Sequence, residues 1–330
     1  MDYNFLKKYF DKRECSVCDG TKRNYLYALA ELAKHMGSEH FQTDPVKVPE
    51  FEDVVQFVSN WGAPPQQKAR VYLGMKFWHK AHGEDDKDKQ YTPVFTDEKM
   101  KQSKKRAKQL SSAKEKGNWL DHGCLAKWAK RLRAEVFSWK DYRSELLTRD
   151  QVRTLGLAFL FTYHLKYPVR NDLCTVQYGV PPEPTINYID MDKHEIVFNV
   201  YKGSAAKKKP VHQPLDRTMW RLFVRIRKQQ SMRDKTKLAD TKGYLLMTSR
   251  MKPVQKHCMS SWLNQACKQN KITCEDCKGK RIGTSLLRKI VITNYHKGTP
   301  TLNKTKHFAE TCCMHSVDQS QLYRRVDQEI

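Results

Sequence analysis

Five residues in the second half of the sequence have side chains suited to chemistry on an anionic group. Arg170 lies in Tyr167-Pro168-Val169-Arg170-Asn171-Asp172-Leu173, and Lys202 follows the apolar run EIVFNVY (195–201) and opens KGSAAKKK. Arg288 sits in GTSLLRKI (283–290), and His315 and Tyr323 share MHSVDQSQLYRRV (314–326). A guanidinium is a planar donor fork for an oxyanion, an ammonium carries transferable protons, an imidazole donates or accepts, and a phenol holds an oxygen nucleophile. Singly, each has a plain structural reading. Arg170 is then a helix-terminal solvent contact, Lys202 part of a basic hairpin loop, and Arg288 a helix residue among Leu286, Leu287 and Ile290.

In this order and spacing the five resemble the active-site signature of the tyrosine recombinases, also called the phage integrase family. The three contexts around Arg170, Arg288 and Tyr323 carry the resemblance, which covers roughly Glu145 to Val326. The His315-Ser316 pair before Tyr323 is most similar to recombinases of eukaryotic mobile elements and large DNA viruses. The resemblance implies cleavage and rejoining of DNA through a 3′-phosphotyrosyl intermediate, without ATP, metal or any other cofactor. Tyr323 would attack the phosphorus in line, and Arg170 and Arg288 would hold the non-bridging oxygens as charge gathers on them. Lys202 would protonate the departing 5′ oxygen, and His315 would brace the phosphate. The partner it implies is double-stranded DNA with paired sites, bound by a homo-tetramer that is a monomer or dimer when free.

The family pattern departs at Ser285, which stands where a His usually lies three residues before the second Arg. Serine cannot serve as an imidazole base near neutral pH, so the change reads as tuning. Lys289, His296 and His307 are the neighbours that could compensate. Only seven residues follow Tyr323, so the contact that relatives make through a further helix there is expected to be reduced or supplied elsewhere.

The elements that must position these residues are mostly helices. Arg23 to Met36, Glu50 to Asn60 and Gln66 to His79 have apolar residues at helical spacing, and the acidic run Gly83 to Gln90 reads as a solvated loop. Helices follow around Asp97 to Lys116 and Leu120 to Val136. Thr148 is a candidate cap for the apolar helix ending near Tyr167. Strands are expected at Ile186 to Ile189, Glu195 to Tyr201 and Val211 to Leu215, with a turn at Asp190 to His194. Helices return at Asp216 to Gln229, Val254 to Lys268, Gly283 to Tyr295 and Asn303 to Cys313. The fold class is mainly α with a small antiparallel sheet. A helical, basic DNA-binding domain over 1–140 and a catalytic domain over 141–330 are expected to form a C-shaped clamp around a duplex.

Charge points to the same partner. The chain of 330 residues carries 61 Lys and Arg against 36 Asp and Glu, a net +25, which makes a polyanion the first partner to consider. Between Thr96 and Lys140, thirteen basic residues face five acidic ones. Candidate phosphate contacts are Lys104, Lys105 and Arg106 in KQSKKRAK, Lys207, Lys208 and Lys209 after Lys202, and Arg217, Arg221 and Arg225 on one predicted helix. The longest apolar stretch, Leu155 to Leu165, is too short to span a bilayer, and the charged N-terminus does not read as a secretory signal. The ten cysteines therefore read as reduced thiols of an intracellular protein, nuclear or cytoplasmic. Cys274 and Cys277 are weak candidates for a structural zinc, lacking a partner pair at zinc-finger spacing. The competing readings are a catalytically degenerate DNA-binding protein, for which Ser285 is the best argument, and a type IB topoisomerase-like relaxing enzyme. A basic packaging protein would need the charge but not the site.

Overall fold

The computed structural model describes residues 2–11, 19–37, 41–43, 46–201, 209–248, 250, 252–269 and 279–328. Lys202, Lys207, Lys208, Cys274 and Cys277 lie outside them. The chain divides into two compact units, Met1–Lys108 and Gln109–Ile330.

The first unit holds helices α1 (Tyr3–Asp11), α2 (Asp19–Met36), α3 (Phe51–Asn60), α4 (Pro65–Ala81) and α5 (Asp85–Ala107), and a short hairpin of β1 (Gln42–Thr43) and β2 (Val46–Lys47). The α2 sequence places Leu26, Leu29, Leu32, Ala33 and Met36 on one buried stripe, the i, i+3, i+4 pattern that drives helix packing. They meet Leu6 and Phe10 of α1, Val54 and Val58 of α3, and Val71, Met75 and Trp78 of α4 in one core. Pro64 and Pro65 open α4 where a missing amide costs nothing. The expected loop over 83–90 is instead the start of α5. Asp85, Asp86 and Asp88 occupy its first turn, where carboxylates complement the helix dipole. That helix also stops at Ala107, short of the expected Lys116, and Gln109 takes a left-handed φ of 52°.

The second unit begins with α6 (Ala113–Asn118) and α7 (His122–Ser138). The composition shift near Lys140 suggests that they belong with the N-terminal half. They pack instead with the C-terminal half, because Leu125, Trp128, Ala129, Leu132 and Val136 of α7 are buried in the same core as α8 (Arg149–Lys166). Helix α8 has the expected cap. Thr148 Oγ accepts from Gln151 N at 3.3 Å, and Gln151 Oε1 accepts from Thr148 N at 2.8 Å. Its residues 154–164 are all buried, so the apolar stretch is the centre of a globular core. Among the described residues no helix is long and apolar enough to cross a membrane.

The sheet is larger than expected and not purely antiparallel. Strands β3 (Val176–Tyr178), β4 (Asn187–Asp190), β5 (Glu195–Phe198), β6 (Val211–Pro214) and β7 (Gly243–Tyr244) run in the order β6-β5-β4-β3-β7. Strands β3 and β4 are parallel, with Val176 opposite Asn187, and the other pairs are antiparallel. The turn between β4 and β5 is where the sequence puts it. Asp190 Oδ1 accepts from the amides of Asp192 and Lys193, and His194 takes a φ of 53°. Helices α9 (Arg217–Asp234), α10 (Met259–Gln269), α11 (Thr284–Lys297), α12 (Leu302–His307) and α13 (Val317–Tyr323) complete the unit. A π turn over Phe308–Cys312 replaces the end of the helix expected to run to Cys313. The fold is mainly α-helical with one small, open, mixed sheet.

One core histidine makes this fold sensitive to acid. His164 of α8 is fully buried and donates from Nδ1 to the Leu160 carbonyl at 3.0 Å. Burial pushes its pKa down to about 4, and the nearby Arg288 charge adds to that. Below about 6.5 the unfolded chain takes up a proton that the folded chain refuses, so stability is lost as pH falls from there towards 4. This residue should cost the fold on the order of 2 kcal/mol at pH 5 relative to pH 7. Denaturant midpoints for wild type and His164→Gln at both pH values check it: the acid-induced drop should be clearly smaller in the variant.

Candidate active site

Four of the five residues come together in the second unit. Tyr323 is the last residue of α13, and its Oη accepts from Arg170 Nε at 3.4 Å. The Arg288 guanidinium carbon lies 4.6 Å from the centre of the Tyr323 ring. The His315 imidazole stacks on that ring at 5.6 Å and 12°. The phenol is thus framed by two guanidinium groups and an imidazole. Lys202 belongs to the connection between β5 and β6, outside the described residues.

Each side chain is held by a separate device. Arg170 follows the end of α8 in extended conformation and precedes a 3-10 turn over Asn171–Thr175. That turn is tied from two sides. Thr284 Oγ donates to Asn171 Oδ1 at 2.6 Å, and Asn171 Nδ2 donates to the Lys256 carbonyl at 2.9 Å. Lys256 Nζ in turn pairs with the buried Asp172 carboxylate at 2.5 Å. Sequence reading passed over Asn171, Asp172, Lys256 and Thr284 in this role, because the partners are 84 to 113 positions apart.

Arg288 comes from α11 and is 1 % exposed. Its Nη2 donates to the Cys313 carbonyl at 2.7 Å, while Nε and Nη1 are buried with no hydrogen-bond partner among the described residues. Burial pushes its pKa down, and the Tyr323 and Cys313 groups work against that. A buried cation with two unused donors is costly in an inert protein. It suits an oxyanion placed against the free edge of the fork.

The loop between α12 and α13 aims the last two residues. The π turn ends with Cys313 N donating to Phe308 O at 2.9 Å, and Met314 then takes a left-handed φ of 54°. A non-glycine residue is held there only where its surroundings over-determine it. His315 N donates to Ala309 O at 3.0 Å. His315 Nδ1 lies 2.8 Å from the Ser316 carbonyl, which can only accept, so that nitrogen carries the proton. The Ser316 hydroxyl caps α13 by accepting from Gln319 N at 3.2 Å. Ser320, fully buried, meets His296 Nε2 at 3.4 Å.

The compensating neighbours fare differently. Ser285 is exposed in the first turn of α11, three residues before the buried Arg288. Lys289 is paired with Glu115, His296 is spent on α13, and His307 is exposed on α12.

The basic candidates separate by burial. Lys104, Arg106, Lys209, Arg217 and Arg221 are exposed, and the Lys105 side chain lies outside the described residues. Arg225 is not available to a phosphate in this fold. It is 7 % exposed, lies 3.6 Å from the centre of the Tyr142 ring, and donates to the Val136 carbonyl at 2.8 Å. Among the described residues no cluster of metal-binding side chains occurs.

No family model matches the sequence, and no curated protein matches it. Among solved structures the chain is similar to one described as the crystal structure of XerA recombinase. It is 13 % identical, covers 98 % of this chain and 92 % of that one, and has a TM-score of 0.39.

The arginines of the basic helix α9 should behave differently on substitution. Arg225→Ala removes a charge-assisted bond and a ring contact and should cost about 2 to 4 kcal/mol, read as a lower unfolding midpoint. Replacing Arg217 and Arg221 by Gln should leave that midpoint nearly unchanged. If the expected partner is duplex DNA, the replacement should weaken that binding and lower the slope of affinity against log salt by about two.

Proposed function

We propose that the protein is a DNA strand transferase of the tyrosine-recombinase kind, with Tyr323 as its nucleophile. The observation that carries this reading is the buried Arg288 fork, with two unused donors beside a phenol that already touches Arg170. The order of Arg170, Lys202, Arg288, His315 and Tyr323 in the sequence supports it.

In this reading the scissile phosphate binds with its non-bridging oxygens on Arg170 and Arg288. Tyr323 Oη attacks the phosphorus, and the bond to the 5′ oxygen breaks on the opposite side. Lys202 gives that oxygen a proton, and the 3′ end is left joined to Tyr323. A phenol's ordinary pKa is about 10, so the positive field of both arginines favours the attacking phenolate. A 5′-hydroxyl from a second strand reverses the step, with the phosphotyrosine preserving the bond energy. His315 supports the phosphate through Nε2, since Nδ1 is committed to the Ser316 carbonyl. The substrate is a duplex with paired sites, the working form a tetramer on synapsed DNA, and no metal or cofactor enters the reaction. The exposed bases Lys104, Arg106, Lys209, Arg217 and Arg221 supply phosphate contacts, joined by Lys105, Lys207 and Lys208.

The test is formation of a covalent adduct on a nicked duplex carrying the protein's own site. Tyr323→Phe should bind DNA normally and form none. Arg170→Lys and Arg288→Lys keep charge but lose the fork, and each should slow adduct formation by about 100-fold or more. Lys202→Ala should recover when the leaving oxygen is replaced by sulfur, because a thiolate leaves without an acid. Where bound DNA excludes water from the exposed Ser285, Ser285→Ala should cost about 1 to 3 kcal/mol of activation, the value of one donor, and Ser285→His should be as active as wild type or more so. A wild-type protein that binds its site but forms no adduct would favour the degenerate DNA-binding reading instead.

A further inference from the structure

The chain does not leave the body of the second unit after Tyr323. Arg325, two residues on, is 8 % exposed, and its amide donates to Thr293 Oγ of α11 at 3.0 Å. Its Nη1 donates to the carbonyls of Leu322 and Arg324 at 2.9 and 2.8 Å, folding the side chain back over the end of α13. Val326 N then donates to Gln109 O at 3.2 Å. Asp327 Oδ1 accepts from the Ser111 amide and hydroxyl, both at 3.0 Å, and its other oxygen pairs with Lys116 at 3.2 Å.

One carboxylate connects this tail to the arginine of the site. Glu115 Oε1 pairs with Lys289, the neighbour of Arg288, and Oε2 lies 3.3 Å from Arg325 Nε. The same Oε2 accepts from the Ser112 amide at 3.0 Å, closing the capping box of α6. The three side chains are 10 to 19 % exposed. Burial pushes the Glu115 carboxyl up, but Lys289, the Ser112 amide and Arg325 outweigh it and hold it below its ordinary value. Without that negative charge, Lys289 and Arg325 would share a poorly hydrated site as two like charges, a costly arrangement.

We propose that Glu115 is a positioning residue for Tyr323, fixing the end of α13 to α11 through Arg325 and Lys289. The proposal rests on the reading of Tyr323 as nucleophile. The phenol stands on the last residue of a helix of seven, too short to hold itself. The tail's anchors determine whether Oη reaches the line of attack. Displacement of a reacting atom by about 1 Å can cost about 100-fold in rate. Glu115 touches no substrate in this account and acts only by holding the nucleophile's backbone.

The experiment compares the full-length wild type with Glu115→Gln and Asp327→Asn. Gln can still accept at the α6 cap, so the first variant loses the charge and not the helix start. The second loosens the same tail from the Ser111 side. Hydrogen exchange of the Arg325 and Val326 amides is measured in the free protein, and single-turnover adduct formation on a nicked duplex is measured against DNA concentration. In Glu115→Gln, protection should fall at least tenfold and the saturating rate about tenfold or more. The DNA concentration for half saturation should change less than twofold. Asp327→Asn should shift both quantities in the same directions. Wild-type protection, or a wild-type saturating rate despite lost protection, overturns the proposal. So does a loss expressed only in half saturation. A wild type that forms no adduct sinks the strand-transferase reading and the positioning role with it. The exchange data then still report whether Glu115 holds the tail.

Discussion

Burial of the Arg288 guanidinium is the constraint around which the second unit is built. A cation 1 % exposed survives in a protein interior only with compensation close by. The Cys313 carbonyl supplies one bond, the Tyr323 ring a negative face, and the Asp172 carboxylate a favourable field. Each compensation fixes another part of the structure. Bringing the Cys313 carbonyl to Arg288 goes with the π turn and a left-handed Met314. His164, also near the guanidinium, is kept neutral by its own burial. The phenol, the imidazole and the first arginine then gather around a charge that the fold has only partly neutralised.

The high positive charge is not all surface charge. Arg225 spends its guanidinium on the end of α7, Lys289 its ammonium on Glu115, and Arg325 its guanidinium on the end of α13. These cations are structural, and counting them among free surface charges overstates what is open to a polyanion. The contrast between Arg221 and Arg225 is instructive. They stand one turn apart on α9, and both lie over the Phe137 ring, yet one is exposed and the other 7 % exposed. Composition and helical spacing cannot separate two such arginines. Only the neighbour that covers one of them does.

What could be read from the sequence was what local chemistry encodes. The Thr148 cap, the turn at Asp190 to His194 and the apolar stripes of α2, α7 and α8 depend on residues within a turn or two of each other. The order of Arg170, Arg288, His315 and Tyr323 was legible because three short contexts carry it, one each for Arg170 and Arg288 and one shared by His315 and Tyr323. Strands β3 and β7, of three and two residues, are too short to show a period, and the parallel pairing of β3 with β4 leaves no local trace. The start of α5 was hidden because an acidic run serves equally as a loop and as a helix N-terminus. The division at Lys108 was missed for another reason. Charge density changes near Lys140, but the apolar face of α7 decides which core it joins.

Helix α11 shows why the site cannot be partitioned into independent residues. Thr284 in its first turn holds Asn171 and so the segment of Arg170. Arg288, one turn on, holds the Cys313 carbonyl and faces the phenol. Lys289 reaches Glu115, Thr293 accepts from the Arg325 amide, and His296 meets Ser320 of α13. Over four turns one helix touches the element carrying the first arginine, the loop before His315, the middle of the tyrosine helix and the segment just past its end. Its apolar residues face the core on nearly every side, so it cannot rotate or slide without repacking. A rigid template of this kind lets a short, weak helix present the Tyr323 phenol accurately. The accuracy comes from α11 and its contacts and not from α13 itself. The same reasoning explains why an exposed serine at 285 can stand in the first turn without disturbing the cluster. The residues that set the geometry all point inward, and Ser285 is not among them.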